Sequence, residues 1–354
     1  TLVSLIPCKR RVLKLVNQNK YNVNQFGLLF RLSVFGESHG TAVGLLIDGC
    51  PPGIDIDEAD FVEDMERRKG KNQPGTTPRK EEDKPVFLSG IFKGKTTGAP
   101  LTIIFENKQT RSEDYEKQKD IARPGHADFV AEKKFKGFQD YRGGGHFSGR
   151  LTVCLVAAGV VAKKILKGVV PKAGIKARLV ELGAEQNIEQ GLQKALNAGD
   201  SVGGIVECTA GPLPIGWGEP FFNSVESLIS HAVFSIPAIK GIEFGAGFGA
   251  AKMFGSQHND PIMDASGKTT TNNSGGISGG LTNGNPLVFR VAVKPTSSTP
   301  QKQHSYNRVS GKMEDFSIKG RHDLSIALRV PVVIEAVTAC VLLDLAMINK
   351  SLSQ

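Results

Sequence analysis

Residues whose side chains could do chemistry occur in five short stretches that are spread over most of the chain: residues 36–40, 123–128, 142–150, 294–298 and 321–323. Four of these stretches contain histidine, arginine or aspartate, residues 294–298 contain lysine, threonine and serine, and the first and third stretches hold two and four glycines. Glycine allows backbone N–H groups to approach a ligand closely. Histidine transfers protons near neutral pH, and arginine supplies a fixed positive charge. A site built from all five stretches requires one cooperative fold around one polar cavity, which is typical of an enzyme.

The first stretch, residues 36–40, reads Gly-Glu-Ser-His-Gly and matches the G-x-S-x-G pattern of a serine-hydrolase nucleophile elbow. That elbow requires a strand, a sharp turn and then a helix, whereas residues 42–48 have the apolar pattern of a strand. We therefore expect a turn between two strands, with His39 as a general acid or base. The alternative is an ordinary hairpin that exposes a histidine.

Residues 142–150 read Arg-Gly-Gly-Gly-His-Phe-Ser-Gly-Arg and lead into a predicted helix. Free N–H groups and the helix dipole predict an anion site here, with Ser148 as the N-cap and Arg150 as an added charge. The spacing matches neither a P-loop nor G-x-G-x-x-G, so it supports neither a nucleotide triphosphatase nor a dinucleotide-binding fold. Upstream, Asp128 either orients His126 or caps the helix that follows.

Two further stretches offer groups for anions. Residues 294–298 carry an ammonium and three hydroxyls that suit a second phosphate, or they form a polar turn. Arg321 and Asp323 form either a plain salt bridge or a pair beside a cofactor, where Asp323 would accept or hold a proton. The arginines expected to complete a cavity for a ligand with several negative charges are Arg67, Arg68 and Arg79.

The formal net charge of the 354 residues is +9, and it is unevenly distributed. Residues 1–20 contain five lysines and arginines and no acid, which leaves +4 for the remainder. We expect residues 1–20 to be a disordered basic extension, with a transit-like segment as the alternative, and residues 21–354 to form a single catalytic domain. The chain has no basic stripe with interleaved aromatic residues, so we expect no nucleic-acid partner.

Five widely spaced cysteines provide neither a disulfide framework nor CxxC metal spacing, and the seven histidines lack metal-ligand spacing. We therefore expect no metal and a reducing cytoplasm, or an organelle if residues 1–20 are a transit segment. No apolar run reaches the roughly 18 residues of a membrane span. The two most apolar segments, residues 148–167 and a helix beginning at Pro331, are predicted to be buried core helices.

The remaining periodicity gives an order of elements. Helices are predicted over residues 57–69 and 127–135. Strands are predicted over residues 28–34, 42–48, 85–92, 100–105 and 287–293. Residues 255–286 are dense in Gly, Asn, Ser and Thr, which indicates either a ligand-binding loop or a flexible surface loop.

Together these stretches resemble the chorismate synthase family from about residue 24 to about residue 348. The three signature regions of that family correspond to residues 36–53, the glycine-rich run ending at Arg150, and residues 321–336. The resemblance implies an α+β fold, a β-α-β sandwich with a central helical layer between two antiparallel sheets, assembled as a homotetramer. It also implies the 1,4-anti elimination of phosphate from 5-enolpyruvylshikimate 3-phosphate to give chorismate, with reduced FMN and without net redox change.

The resemblance assigns roles by position. His39 would be the acid that assists phosphate departure, His126 would serve the reduced flavin near N1, and Asp323 would help a flavin nitrogen take the C6 proton. The implied substrate clamp is Arg68, Arg79, Arg123 and Arg150. The implied FMN contacts are His146, Phe147, Ser148, Pro237, Ala238, Gly280, Lys294, Pro295, Thr296, Ser297, Ser298 and Arg321.

Two positions depart from the commoner family pattern. His146 begins a His-Phe-Ser-Gly-Arg run where many relatives have Arg-Ser-Ser-Ala-Arg, and Pro74 stands where an arginine is often found. Arg68 also matches a position linked to reduced pyridine nucleotide, which makes NADPH a candidate reductant. No separate reductase domain is visible, so we expect dependence on an external reductant. A non-catalytic flavin-binding protein is the competing interpretation, since it would need neither histidine.

Overall fold

The computed structural model describes residues 24–70, 74–76, 82–108, 119–318 and 323–352. The predicted extension at residues 1–20 lies outside these ranges. The helices are α1 (Ala59–Lys69), α2 (Asp128–Phe135), α3 (Thr152–Val169), α4 (Ile188–Ala198), α5 (Val225–Phe234), α6 (Gly255–His258) and α7 (Val330–Leu352). The strands are β1 (Gln25–Phe26), β2 (Arg31–Gly36), β3 (Ala42–Asp48), β4 (Val86–Ser89), β5 (Ile91–Phe92), β6 (Lys95–Thr96), β7 (Leu101–Glu106), β8 (Gly174–Leu182), β9 (Gly204–Gly211), β10 (Ile239–Phe244), β11 (Ile277–Ser278), β12 (Leu281–Thr282), β13 (Leu287–Val293), β14 (Gln303–Asn307) and β15 (Lys312–Phe316).

Two antiparallel sheets form the outer layers. The first has the strand order β1-β2-β3-β7-β4, and the second has the order β10-β13-β9-β8. Alternate side chains of each central strand are buried, as the two-residue repeat of a strand requires. In β7, for example, Leu101, Ile103 and Phe105 are completely buried. Each sheet therefore presents one apolar face to the interior of the protein.

The helices α3 and α7 lie between the two sheets. α3 packs against β2, β3 and β7, α7 packs against β8 and β9, and the two helices pack against each other. A Cβ atom at Gly159 would lie 2.3 Å from the Cβ of Ala336, so only glycine permits this approach of the two axes. The expected β-α-β sandwich with a central helical layer is confirmed.

Both predicted core helices are buried, with small differences in their ends. Ser148 caps a 3₁₀ turn over Gly149–Leu151 rather than the α-helix itself, and α3 continues one residue beyond Gly168. α7 is long and apolar enough to cross a membrane, but 83% of its most apolar window is buried inside the protein. Its apolar surface is thus covered by the second sheet, by α3 and by α5.

Two carboxylates of α7 tie the layers together. Asp344 accepts hydrogen bonds from the backbone N–H groups of residues 28–30 at 2.7–2.8 Å, which fixes the chain just before β2. Glu335 binds Arg67 of α1 through both carboxylate oxygens at 2.7 Å. It also accepts from Lys163 of α3 and from the backbone N–H of Ala177 in β8. A buried carboxylate is retained without penalty only when it is paired in this way.

The strands β3 and β13 have the predicted bounds, whereas the predicted strand over residues 85–92 is divided into β4 and β5. Residues 255–286 form a folded loop rather than a flexible one. Asp260 accepts hydrogen bonds from the Thr271 hydroxyl and from the backbone N–H groups of Asn273 and Ser274. This loop therefore holds its shape through its own contacts.

Candidate functional site

One cavity of about 760 Å³ lies between the two sheets, over the N-terminal halves of α3 and α7. It is lined by residues from all five of the stretches identified in the sequence. The predicted site residues that line it are His39, Arg68, Arg123, His126, His146, Phe147, Ser148, Arg150, Pro237, Ala238, Lys294, Pro295, Thr296, Ser297, Ser298 and Asp323. Arg79 and Arg321 lie outside the described residues, so their predicted roles stay predictions.

Gly280 and Arg67 are placed elsewhere. The carbonyl of Gly280 accepts from the N–H of Val225 at the start of α5, whereas the far end of that ten-residue helix reaches the cavity. Because a helix rises 1.5 Å per residue, Gly280 is separated from the cavity of the same chain by roughly 15 Å. The expectation that Arg67 lines this cavity is wrong, because its guanidinium is engaged by Glu335 on the other side of α1.

The turn between β2 and β3 carries Ser38 and His39, and both side chains are buried. The backbone N–H of Ser38 donates to the carbonyl of Gly145 at 3.1 Å, which attaches the turn to the glycine-rich loop. Since a strand and not a helix follows, the geometry of a nucleophile elbow is absent here. The alternative of a hairpin with an exposed histidine is also wrong, because His39 is only 8% exposed.

Two of three consecutive glycines pack directly against the two histidines. Gly143, Gly144 and Gly145 have φ angles of +59°, +83° and +53°, a region that favours glycine. A Cβ at Gly143 would lie 2.6 Å from Nε2 of His39, and one at Gly144 would lie 3.2 Å from Nε2 of His126. The loop was predicted to cradle an anion with its N–H groups. That role stays a prediction, and the loop also forms the surface against which both imidazoles are positioned.

Asp128, for which the sequence allowed two roles, orients His126. Nδ1 of His126 lies 2.6 Å from Oδ1 of Asp128, and Arg123 binds the same carboxylate through Nε and Nη2. Burial alone would raise the pKa of Asp128, but the hydrogen bonds and charges of Arg123 and His126 outweigh it and lower the pKa. The ionised carboxylate accepts a hydrogen bond from Nδ1–H of His126, so Nε2 is the nitrogen left for chemistry.

Arg68 and Arg150 share a buried carboxylate that the sequence analysis did not identify. Asp83 accepts from Nη2 of Arg68 at 2.5 Å and from Nη1 of Arg150 through its other oxygen. Burial would raise the pKa of Asp83, but the charges of the two guanidiniums outweigh it and lower the pKa to about 2. Asp83 lies within the charged run of residues 79–84, a pattern typical of a solvated surface. Its burial depends on tertiary contacts and left no local signal.

The opposite wall of the cavity is formed by residues 237–240 and 294–298. Nζ of Lys294 donates to the carbonyl of Gly125 at 2.7 Å, and burial together with the nearby charge of Lys240 lowers the pKa of Lys294. Oγ1 of Thr296 is buried and has no hydrogen-bond partner among the described residues. This wall therefore offers cationic groups and an unsatisfied hydroxyl to a ligand.

Asp323 and His146 complete the site. Asp323 is buried, and its Oδ2 lies 3.3 Å from Nη2 of Arg329, a partner that the sequence analysis did not foresee. Nδ1 of His146 donates to the carbonyl of Gly36 at 2.8 Å, and Nε2 lies 3.3 Å from the side chain of Asn24. The histidine that replaces the commoner arginine thus links the glycine-rich loop to the end of β2.

Comparison with known proteins places these residues in a family. The family model described as chorismate synthase matches residues 30–347. A chorismate synthase from Chitinophaga pinensis is 65% identical over 328 residues, covering 93% of this chain and 98% of that protein. One from Thermococcus kodakarensis is 44% identical over 90% of this chain and 96% of its own length. A crystal structure of chorismate synthase superposes with a TM-score of 0.70 at 26% identity, covering 92% of this chain and 93% of that one. These matches extend over nearly the whole chain, and the solved structure has the same fold. The chain therefore belongs to the chorismate synthase family.

Proposed function

We propose that this protein catalyses the 1,4-anti elimination of phosphate from 5-enolpyruvylshikimate 3-phosphate to give chorismate, the last step of the shikimate pathway. The observation that carries the proposal is that His39, His126 and Asp323 line the same cavity as Arg68, Arg123 and Arg150. Two histidines and a carboxylate provide the acids and bases that an elimination needs. The arginines provide binding for a substrate with two carboxylates and one phosphate.

The chorismate synthase family uses reduced flavin, and we propose reduced FMN as the cofactor of this chain. The cavity volume lies within the roughly 300–1,000 Å³ of small-molecule sites. Its wall at residues 294–298 suits the FMN phosphate, because Lys294 is cationic and the Thr296 hydroxyl is buried without a partner among the described residues. Phe147, Pro237 and Ala238 would contact the rings. When bound, reduced flavin supplies an electron-rich ring that assists the elimination without net oxidation.

The residues of the chain would divide the proton transfers among themselves. His39 would donate a proton to the departing phosphate, since it is buried and lines the same cavity as the Arg68 and Arg150 pair. His126 would present Nε2 to the cavity while Asp128 holds the proton on Nδ1. Asp323 would hold or accept the proton that leaves the substrate carbon, beside Arg329. Positive groups fixed before the reaction stabilise the charge that develops on phosphate.

NADPH as a direct reductant, a homotetramer and a cytoplasmic location remain predictions from the family resemblance. Reduction of the bound flavin by NADPH in the absence of any other protein would establish the first. Sedimentation equilibrium would establish the second, and fractionation of cells expressing the native protein would establish the third.

The test is phosphate release from 5-enolpyruvylshikimate 3-phosphate under anaerobic conditions, with and without reduced FMN. We expect stoichiometric phosphate and chorismate only when reduced FMN is present. We also expect His39→Ala to lower turnover by about 10²–10⁴-fold while FMN binding is retained. Flavin binding without any product from the wild-type protein would favour a non-catalytic flavin-binding protein instead.

A further inference from the structure

Asp83 is a buried carboxylate that no catalytic step above requires. Its side chain is 0% exposed, and each of its two oxygens accepts a hydrogen bond from a different arginine. Arg68 belongs to α1, and Arg150 belongs to the 3₁₀ turn that precedes α3. One carboxylate therefore joins two cations that come from separate elements and line the same cavity.

The two guanidiniums would repel each other without a shared counterion. With Asp83 ionised, the three groups carry a net charge of +1, which remains available to an anionic ligand. Nε of Arg68 is buried and has no hydrogen-bond partner in the part of the chain that the structure describes. A buried donor that is left unsatisfied is costly, so a ligand oxygen is the partner that would complete it.

Arg150 is also connected to the turn that carries His39. Nε of Arg150 donates to Oδ1 of Asn107 at 2.9 Å. Nδ2 of Asn107 in turn donates to the carbonyls of Glu37 and Gly40 at 3.0 and 2.9 Å. The side-chain amide of Asn107 thus bridges the arginine pair and the two ends of the turn around His39.

We propose that Asp83 and Asn107 are positioning residues for the reaction. Asp83 holds Arg68 and Arg150 as one rigid clamp for an anionic group of the substrate, and Asn107 fixes the distance between that clamp and His39. The role of Asn107 in placing His39 rests on the proposed function. The clamp itself concerns anion binding and is testable without any turnover.

The first test distinguishes the alignment of the two guanidiniums from the net positive charge that attracts an anion. Asp83→Asn raises the net charge of the clamp from +1 to +2 but replaces one of the two oxygens that align the guanidiniums with an N–H donor. We expect kcat/KM to fall about tenfold to a hundredfold, because misplacement by about 1 Å has that effect. We expect the affinity for inorganic phosphate, measured by calorimetry without cofactor, to rise by roughly fivefold, the effect of one unit charge about 4 Å away in water.

Asp83→Glu retains the charge and lengthens the side chain by one methylene. We expect wild-type affinity for inorganic phosphate and a roughly tenfold lower kcat/KM, since only the alignment changes. For Asn107→Ala we expect a lower kcat with unchanged phosphate affinity, because the clamp remains and the turn loses its bridge.

Glu335→Gln is the matched control, because Glu335 is also a buried carboxylate between two cations but lines a different cavity. It should lower stability and leave KM and phosphate affinity unchanged. Parallel loss of phosphate affinity and kcat/KM in both Asp83 variants would overturn the proposal, as would wild-type kcat/KM in either one. If the wild-type protein forms no chorismate, the proposed function fails, while the phosphate titrations still decide whether Asp83 forms the clamp.

Discussion

Replacement of Gly143 by alanine tests whether the glycine-rich loop positions His39. The new Cβ would lie 2.5 Å from Cδ2 and 2.6 Å from Nε2 of His39, and 2.7 Å from Oγ of Ser38. Carbon atoms in contact are separated by about 3.5–4.0 Å, so the imidazole must move by roughly 1 Å. A displacement of that size near a reacting group lowers the rate by roughly 10²-fold. We therefore expect kcat to fall about 100-fold.

The same substitution also strains the backbone, because the φ angle of Gly143 is +59°. That strain costs an L-residue about 1–2 kcal/mol. Gly137→Ala is the control for it, since Gly137 has a φ of +83° and no atom within 4 Å of the new Cβ. We expect a similar loss of stability in the two variants, and wild-type turnover only in Gly137→Ala.

The assay is anaerobic phosphate release at saturating substrate with reduced FMN, together with FMN affinity and urea unfolding of each variant. Wild-type kcat in Gly143→Ala would refute the argument that this contact positions His39. An equal loss of kcat in Gly137→Ala would also refute it, because backbone strain alone would then account for the effect.

Three further predictions concern carboxylates that accept several hydrogen bonds. The folded pKa of Asp83, about 2, is below its ordinary value of 3.8. Ionised Asp83 should therefore add roughly 2 kcal/mol to the free energy of unfolding above pH 4, and this contribution should be lost as the pH falls towards 2. The urea unfolding curves of the wild type and of Asp83→Asn should converge over that range. Asp344→Asn should lower the free energy of unfolding by roughly 2–4 kcal/mol without changing kcat, because the N–H groups of residues 28–30 lose a charged acceptor; equal urea midpoints would contradict this. Asp128→Asn should lower kcat/KM at least tenfold, because His126 loses the carboxylate that holds the proton on Nδ1. ¹⁵N NMR should show this proton shifted away from Nδ1, and an unchanged tautomer would contradict the prediction.

The elements that the sequence predicted well are those whose apolar pattern is strong. α3 and α7 are apolar on nearly all sides, and this composition is explained only by burial between two layers. β13 was predicted with its observed bounds because its residues are almost entirely apolar over a length typical of a strand. The ends of α3 were less certain, since Ser148 caps a 3₁₀ turn and Gly168 remains helical.

The contacts that complete the site could not be read from local patterns. Asp83 lies in a run of charges, and only the approach of Arg68 and Arg150 from other elements explains its burial. The glycine triplet indicates close approach of the backbone to another group but does not identify that group. The structure shows that imidazoles occupy that space at Gly143 and Gly144. Arg67 was assigned to the cavity by its neighbour Arg68, although adjacent helical residues point in directions about 100° apart.

The contact between Gly159 and Ala336 limits how the ligand cavity can change its volume. The cavity lies over the start of α3 and over Val337 and Cys340 of α7, and about one turn further along α3 the two helices touch with no room for a single methyl group. A close-packed interior resists both compression and separation, so the cavity has a rigid floor. Any change in the volume of the cavity must therefore come from displacement of the surrounding loops. Enlarging the residue at position 159 would instead push Arg150, at the start of α3, away from Asp323, which precedes α7.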